Sequence, residues 1–263
     1  MASAALILAI TAAASPVVFH TDFSGDATGR YTRTEAAHDF AQPKWSDGLD
    51  EGLAEIVPAD CGKALRVHYP AGVTGGGVII PVALPQAYEA LYLSYAVRFP
   101  DGFAFVKEGK LSGLCGGTCN SGGHRANGKD GWSSRVIWRG DKAAQYVYAA
   151  DQAGDYGDIA VWSDEHNRLT TGVWHRVQTY VHLNTPGKAD GVIISWLDGH
   201  EAYRNDHMRF RDVDGLGIDS FRFETFFGGS TPDFAPPSAQ FADFADISVS
   251  TEPVAPGACR LIR

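Results

Sequence analysis

The sequence predicts an all-β chain, a β-jelly-roll sandwich of antiparallel sheets. Three observations carry that expectation. Apolar and polar residues alternate with a period of two in segment after segment, the spacing of half-buried strands. Short turn signals rich in Gly, Pro, Asn and Asp separate these segments, in a chain with 30 Gly and 13 Pro. No long stretch repeats its apolar residues every 3.6 positions, so no long helix is expected between strands.

Val17–Phe23 opens the series as a strand. Residues 24–62 are polar and irregular and predict no regular element. Leu65–Tyr69 alternates, and Gly77–Ile80 is a short apolar run. Leu91–Phe99 is the strongest strand, with Leu91, Leu93, Tyr95, Val97 and Phe99 on one face; Pro100-Asp101-Gly102 ends it. After a glycine-rich loop, residues 132–149 read as a hairpin turning at Gly140-Asp141. Arg139 then faces Lys142, Arg135 faces Tyr146 and Ser133 faces Tyr148, all on one side of the pair. Ser134, Val136, Trp138, Ala143 and Val147 form the other side, which reads as core. Trp174–Asn184 alternates again: Val177, Thr179, Val181 and Leu183 against Gln178, Tyr180, His182 and Asn184. The wetter face, with its aromatic and hydrogen-bonding groups, suits either a sugar groove or plain solvent. Val192–Leu197 and His200–Tyr203 form a second hairpin about Asp198-Gly199; Phe221–Phe227 and Phe241–Val249 are late strands. Without repeat or linker, residues 16–263 are expected to form one domain.

The chain has 263 residues, 44% hydrophobic and 20% charged, enough for a core and against disorder. Its pI near 5.4 and lack of a binding motif exclude nucleic acid. Residues 1–15 hold a short apolar run ending in small residues, which reads as a secretion signal although no Lys or Arg precedes it. The run is too short to span a membrane, and no later segment qualifies. A secreted or periplasmic monomer is expected. The four cysteines, Cys61, Cys115, Cys119 and Cys259, suit two disulfides. One arrangement joins Cys115 to Cys119 and Cys61 to Cys259, though spacing alone does not fix connectivity. No Cys-x-x-Cys pair or His spacing supports a metal site.

Residues 107–142 carry seven Lys and Arg against Glu108, Asp130 and Asp141, a local charge of +4 in a chain of −9, leaving −13 elsewhere. Such an island suggests an anionic ligand bound locally, with Lys107 and Arg139 among its contacts. Within it the hairpin sets hydroxyls beside a fixed cation, an arrangement suited to proton transfer next to a carboxylate.

Several ordered pieces resemble polysaccharide lyase family 14, the alginate and glucuronan lyase group. They are Phe105–Leu114, Trp132–Arg139, Tyr146-Val147-Tyr148, Leu183–Lys188 with Asp190-Gly191, and Phe226–Ser230 with Phe234–Pro237. The resemblance implies a jelly roll whose concave face binds an acidic polysaccharide and cleaves it by β-elimination without a cofactor. It assigns the catalytic set to Lys110, Ser133, Arg135, Tyr146 and Tyr148. The family more often has Pro at Ser112 and an aromatic residue at Cys115. In such a reaction Arg135 or Lys110 neutralises the uronate carboxylate, Arg through a bidentate fork. Tyr146 or Tyr148 serves as base or acid, with a nearby cation favouring phenolate; Lys110 is the base instead if burial depresses it. Ser133 orients, since no nucleophile elbow surrounds it. Asn120 and His124 form a second neutraliser-and-base set. Gln178, Tyr180 and His182 are candidate substrate contacts.

Two rivals remain at this level. A glycoside hydrolase needs two carboxylates across the bond, which would come from Asp164-Glu165 or Glu224. A non-catalytic binding module would stack sugars on Trp132, Trp138, Trp162, Trp174, Tyr180 or Trp196.

Overall fold

The alternating segments resolve into strands in a computed structural model that describes residues 16–163 and 165–254. In chain order these are β1 (Val17–Thr21), β2 (Gly29–Arg30), helix α1 (Arg33–Asp39), β3 (Ala54–Ala59), β4 (Gly62–Tyr69), β5 (Gly77–Tyr88) and β6 (Ala90–Arg98). Then come β7 (Glu108–Gly117), β8 (Gly131–Arg139), β9 (Lys142–Tyr148), β10 (Asp158–Val161), β11 (Trp174–His182) and β12 (Gly191–Leu197). The last three are β13 (His200–Met208), β14 (Ile218–Phe227) and β15 (Gln240–Ser250). The expected leader 1–15, Asp164 and Cys259 lie outside the described residues, and with Cys259 the Cys61 bridge.

Two antiparallel sheets form the sandwich. One runs β13-β12-β11-β6-β15-β4-β3-β2, with β1 also on β15; the other runs β10-β9-β8-β7-β14-β5. Their inner faces meet in one apolar core. The predicted face Leu91, Leu93, Tyr95, Val97 and Phe99 is buried there. So are Val177, Thr179, Val181 and Leu183. Trp132, Trp138, Trp162 and Trp174 are each at most 3% exposed, so they are packing residues and not sugar platforms. No helix of the described residues is long and apolar enough to cross a membrane.

A polar chain crosses this core. Thr179 Oγ1 lies 3.1 Å from Ser195 Oγ, which donates to Gln145 Oε1 at 2.9 Å. Gln145 Nε2 donates to Ser134 Oγ at 2.9 Å and to the Arg135 carbonyl at 3.1 Å. Strands of both sheets are thereby pinned at the height of Arg135 and Tyr146, each buried polar group answering the next.

The structure corrects the reading of residues 24–62, which hold α1, β2 and β3. The helix starts at a capping box: Thr32 Oγ1 accepts the Thr34 N–H at 3.2 Å and Glu35 accepts the Thr32 N–H at 2.9 Å. Thr32-x-x-Glu35 was the legible signal. Strand β7 also emerges where only a lysine-and-glycine stretch was visible. Its small residues are buried on both faces in the middle of a sheet, so it shows no alternation.

Candidate active site

The hairpin β8–β9 forms in the expected register: Arg135 pairs with Tyr146, Ser133 with Tyr148 and Arg139 with Lys142. Gly140 at the tip has φ +57°, a left-handed backbone that glycine adopts without steric cost. The outer face of this hairpin belongs to the six-stranded sheet, and its neighbours β7 and β14 complete a cleft.

A bulge in β7 decides the chemistry. Its pairing with β8 shifts between Lys110 and Gly113. One extra residue therefore brings Lys110 and Gly113, three positions apart, onto the same face. In unbroken alternation Lys110 would point into the core. Gly113 sits between Arg135 on β8 and Arg222 on β14. A Cβ there would lie 2.2 Å from the Ser134 carbonyl oxygen and 2.6 Å from Arg135 Cγ. Only glycine leaves the floor open for Arg135.

Lys110, Arg135 and Tyr146 line one cavity of about 550 Å³, together with Glu108, Arg222 and Glu224. Lys110 is 7% exposed, Arg135 3% and Glu224 1%. Lys110 Nζ lies 2.6 Å from Glu108 Oε1, and Arg135 Nη1 lies 2.8 Å from Glu224 Oε1. Arg135 Nε and Nη2 are buried with no hydrogen-bond partner among the described residues. Lys110 Nζ stands 4.4 Å from the Tyr146 ring centroid and Arg135 Cζ 4.9 Å from it. The Tyr146 and Tyr148 hydroxyls are 3.1 Å apart. Tyr148 is fully buried beneath the 121–123 loop, whose Gly123 N–H donates to its Oη at 3.3 Å.

Burial dominates the electrostatics. It pushes the Lys110 ammonium below the ordinary lysine value, against the opposite pull of Glu108. It raises Tyr146 above the ordinary tyrosine value, helped by the Tyr148 hydroxyl; Arg135 pulls down but does not prevail. The expectation that a cation would favour a Tyr146 phenolate is thus overturned. The cluster offers a weakly held proton on an amine beside a firmly held one on a phenol.

The remaining candidates divide. Ser133 is fully buried and donates to the Asn120 carbonyl at 2.6 Å, so it fastens the glycine-rich loop. Asn120 spends its amide on the Arg125 carbonyl at 3.2 Å and accepts from Thr118 at 3.0 Å. Asn120 and the exposed His124 line a neighbouring cavity of about 590 Å³. The Cys115–Cys119 disulfide is present and closes the near end of that loop. Lys107 pairs with Asp233 on the rim, above the Phe234 ring. Arg139 is exposed and does not line the cavity.

Gln178, Tyr180 and His182 are not brought to the cleft. Their strand β11 belongs to the nine-stranded sheet, and the alternate residues Val177, Thr179 and Val181 occupy the core. Gln178, Tyr180 and His182 therefore face outward on the far side of the sandwich, where Tyr180 packs 4.5 Å from Tyr92. The solvated-face alternative for this strand holds.

The +4 island is not bare either, because Asp233 and Glu224 reach it from distant parts of the chain. Sequence reasoning missed Arg222 and Phe226, and saw in Glu224 only a possible hydrolase carboxyl. The signal lay in Phe221–Phe227, where Arg222, Glu224 and Phe226 alternate with Phe221, Phe223 and Thr225. Among the described residues no group of three or more His, Cys, Asp or Glu is placed to hold a metal ion.

The family profile described as Polysaccharide lyase 14 matches residues 58–247. The structure is similar to that of alginate lyase Aly36B, with 25% identity, a TM-score of 0.78, and 92% of this chain and 100% of that one covered. A double-alanine variant of Aly36B in complex with alginate tetrasaccharide gives 23% identity, a TM-score of 0.77 and the same coverage. The PL-14 alginate lyase of Aplysia kurodai gives 24% identity, a TM-score of 0.76 and coverage of 90% and 100%. The endo-β-1,4-glucuronan lyase of Trichoderma reesei gives 14% identity, a TM-score of 0.56 and coverage of 90% and 96%; at that identity the likeness is one of fold. No curated protein matches the chain by sequence.

Proposed function

This chain belongs to polysaccharide lyase family 14, and from that premise we propose that Lys110, Arg135, Tyr146 and Tyr148 perform its β-elimination on a uronate polysaccharide. The observation that carries the proposal is the opposed displacement of two proton affinities in one cavity: Lys110 pushed down and Tyr146 pushed up. Groups driven apart in this way mark base and acid.

Arg135, whose Nε and Nη2 have no hydrogen-bond partner among the described residues, sets its fixed positive charge against the uronate carboxylate from the cavity floor. Charge spreading from C5 into that carboxylate is stabilised by the fixed guanidinium. Neutral Lys110 removes the C5 proton. The C5–H electrons form the C4–C5 double bond as the C4–O bond breaks. Tyr146 protonates the departing oxygen, and its phenolate recovers a proton from the Lys110 ammonium beside it. Tyr148 holds the Tyr146 hydroxyl through their shared hydrogen bond. The products are a 4,5-unsaturated uronate end and a new hydroxyl end. A hydrolase is disfavoured because Glu108 and Glu224 are engaged by Lys110 and Arg135.

The named relatives make alginate and glucuronan the first substrates to try. The Cys115–Cys119 bridge suits an oxidising compartment outside the cytoplasm. The test is ultraviolet absorbance over time on polymannuronate, polyguluronate and polyglucuronate, at neutral and alkaline pH, with and without chelator. A rising band from the conjugated C4–C5 double bond supports the proposal and names the substrate. Folded protein that gives no band on any uronan refutes it.

A further inference from the structure

The cleft holds one cation that the elimination does not use. Arg222 is in register with Gly113, and Gly113 with Arg135. The two arginines therefore project from the same face, two strands apart, about 9–10 Å at the usual inter-strand spacing. The bare backbone of Gly113 lies between them. Arg222 lines both the proposed catalytic cavity of about 550 Å³ and the neighbouring one of about 590 Å³, and so stands on the border of the two.

The partners of the cavity's cations differ. Lys110 has Glu108 and Arg135 has Glu224. Among the described residues Arg222 has no carboxylate within ion-pair distance. Its Nη1 donates to Ser121 Oγ at 3.0 Å, and its Nε is buried without a partner. Burial depresses its proton affinity even so, and Glu224 offsets this only in part. A half-buried guanidinium lacking its own anion is unfavourable. It becomes favourable when a ligand supplies one, and the planar fork matches a carboxylate.

We propose that Arg222 binds the carboxylate of the sugar adjacent to the one being cleaved, so that the enzyme selects two consecutive uronates. This rests on the elimination site described above. The adjacent sugar then lies toward the cavity walled by Asn120, Ser121 and His124.

The test compares a native uronan with the same polymer after half of its carboxyls are reduced to primary alcohols. In the wild-type enzyme kcat/KM falls further on the reduced polymer than loss of cleavable uronates alone accounts for. In Arg222→Gln, kcat/KM on the native polymer drops about tenfold to a hundredfold, the span of a charged hydrogen bond, mainly through KM. Its native-to-reduced ratio collapses toward the value set by lost cleavage sites. Arg222→Lys recovers part of that ratio. Equal falls on both polymers, with the ratio unchanged, overturn the proposal and make Arg222 a packing residue. Calorimetry with a saturated uronan trimer separates the two readings. Binding that weakens in Arg222→Gln, without turnover in the wild type, sinks the elimination mechanism but keeps the carboxylate site. Binding indifferent to Arg222→Gln, with normal turnover, does the reverse.

Discussion

At the scale of single residues, the proposed base and acid differ in what burial does to them. A buried ammonium loses its proton more readily and a buried phenol less readily, because desolvation penalises whichever form is charged. As the proposed base Lys110 must be neutral to act, so activity is expected to rise as pH climbs through its lowered pKa. As the proposed acid Tyr146 must keep its proton, so activity is expected to fall only above the ordinary tyrosine range of about 10. The pH–rate profile is therefore expected to peak on the alkaline side of neutrality. Glu108 is a positioning residue that favours the Lys110 ammonium. Glu108→Gln should move the rising limb of kcat/KM to lower pH and draw the falling limb down by less, since Glu108 is a minor contributor to the raised Tyr146; an unmoved rising limb would remove Lys110 as the base. Tyr146→Phe should lower kcat by about 10²–10⁴, the usual contribution of a positioned acid, with KM little changed. Rapid-quench measurement of single turnovers checks it, and wild-type rates would assign the acid elsewhere.

At the scale of elements, the site depends on a bulge and a glycine in β7. The bulge turns Lys110 outward, and Gly113 lets Arg135 lie flat across the strand. Gly113→Ala should destabilise by about 1–3 kcal/mol through overpacking and reduce turnover with it, because the atoms in the way are the Ser134 carbonyl and the Arg135 stem. Paired thermal melts and kinetics test this. A variant with wild-type stability and rate would show that the strand yields at no cost. The hairpin β8–β9 was legible because its turn residues and alternating faces are local signals. Strand β7 was not, since a strand buried on both faces loses the alternation that announces it. Helix α1 announced itself only through its cap.

At the scale of the whole molecule, two features join distant parts of the chain. The first is the polar chain from Thr179 to Ser134, centred on fully buried Gln145. Gln145→Leu leaves Ser195 and Ser134 without their partner and should cost about 1–3 kcal/mol, read by denaturant midpoint. An unchanged midpoint would show that the serines find other partners. The second is the placement of a basic cleft on a chain of net charge −9. Steering of a polyanion toward it should weaken with salt, since the screening length is about 8 Å at 0.15 M. KM should therefore rise with ionic strength while kcat holds. A salt-independent KM would mean that buried contacts, and not the cleft's field, capture the substrate.

By itself the sequence determined the sandwich and the hairpin register, and through its family resemblance it nominated Lys110, Ser133, Arg135, Tyr146 and Tyr148 as candidates. Alternation, turn chemistry and motif order are properties of neighbouring residues along the chain, and these sufficed. Only the tertiary structure decided which strand faces the cleft. Gln178, Tyr180 and His182 show an alternation as good as the hairpin's, yet their strand lies in the other sheet and points to the opposite side. Periodicity tells a strand's two faces apart, but not which of them meets the other sheet or a groove. The tertiary structure also set Glu108, Arg222 and Glu224 around the lysine and arginine, and it reversed the expected shift of Tyr146. Burial is a sum over every element packed around a group, and no window of sequence contains that sum.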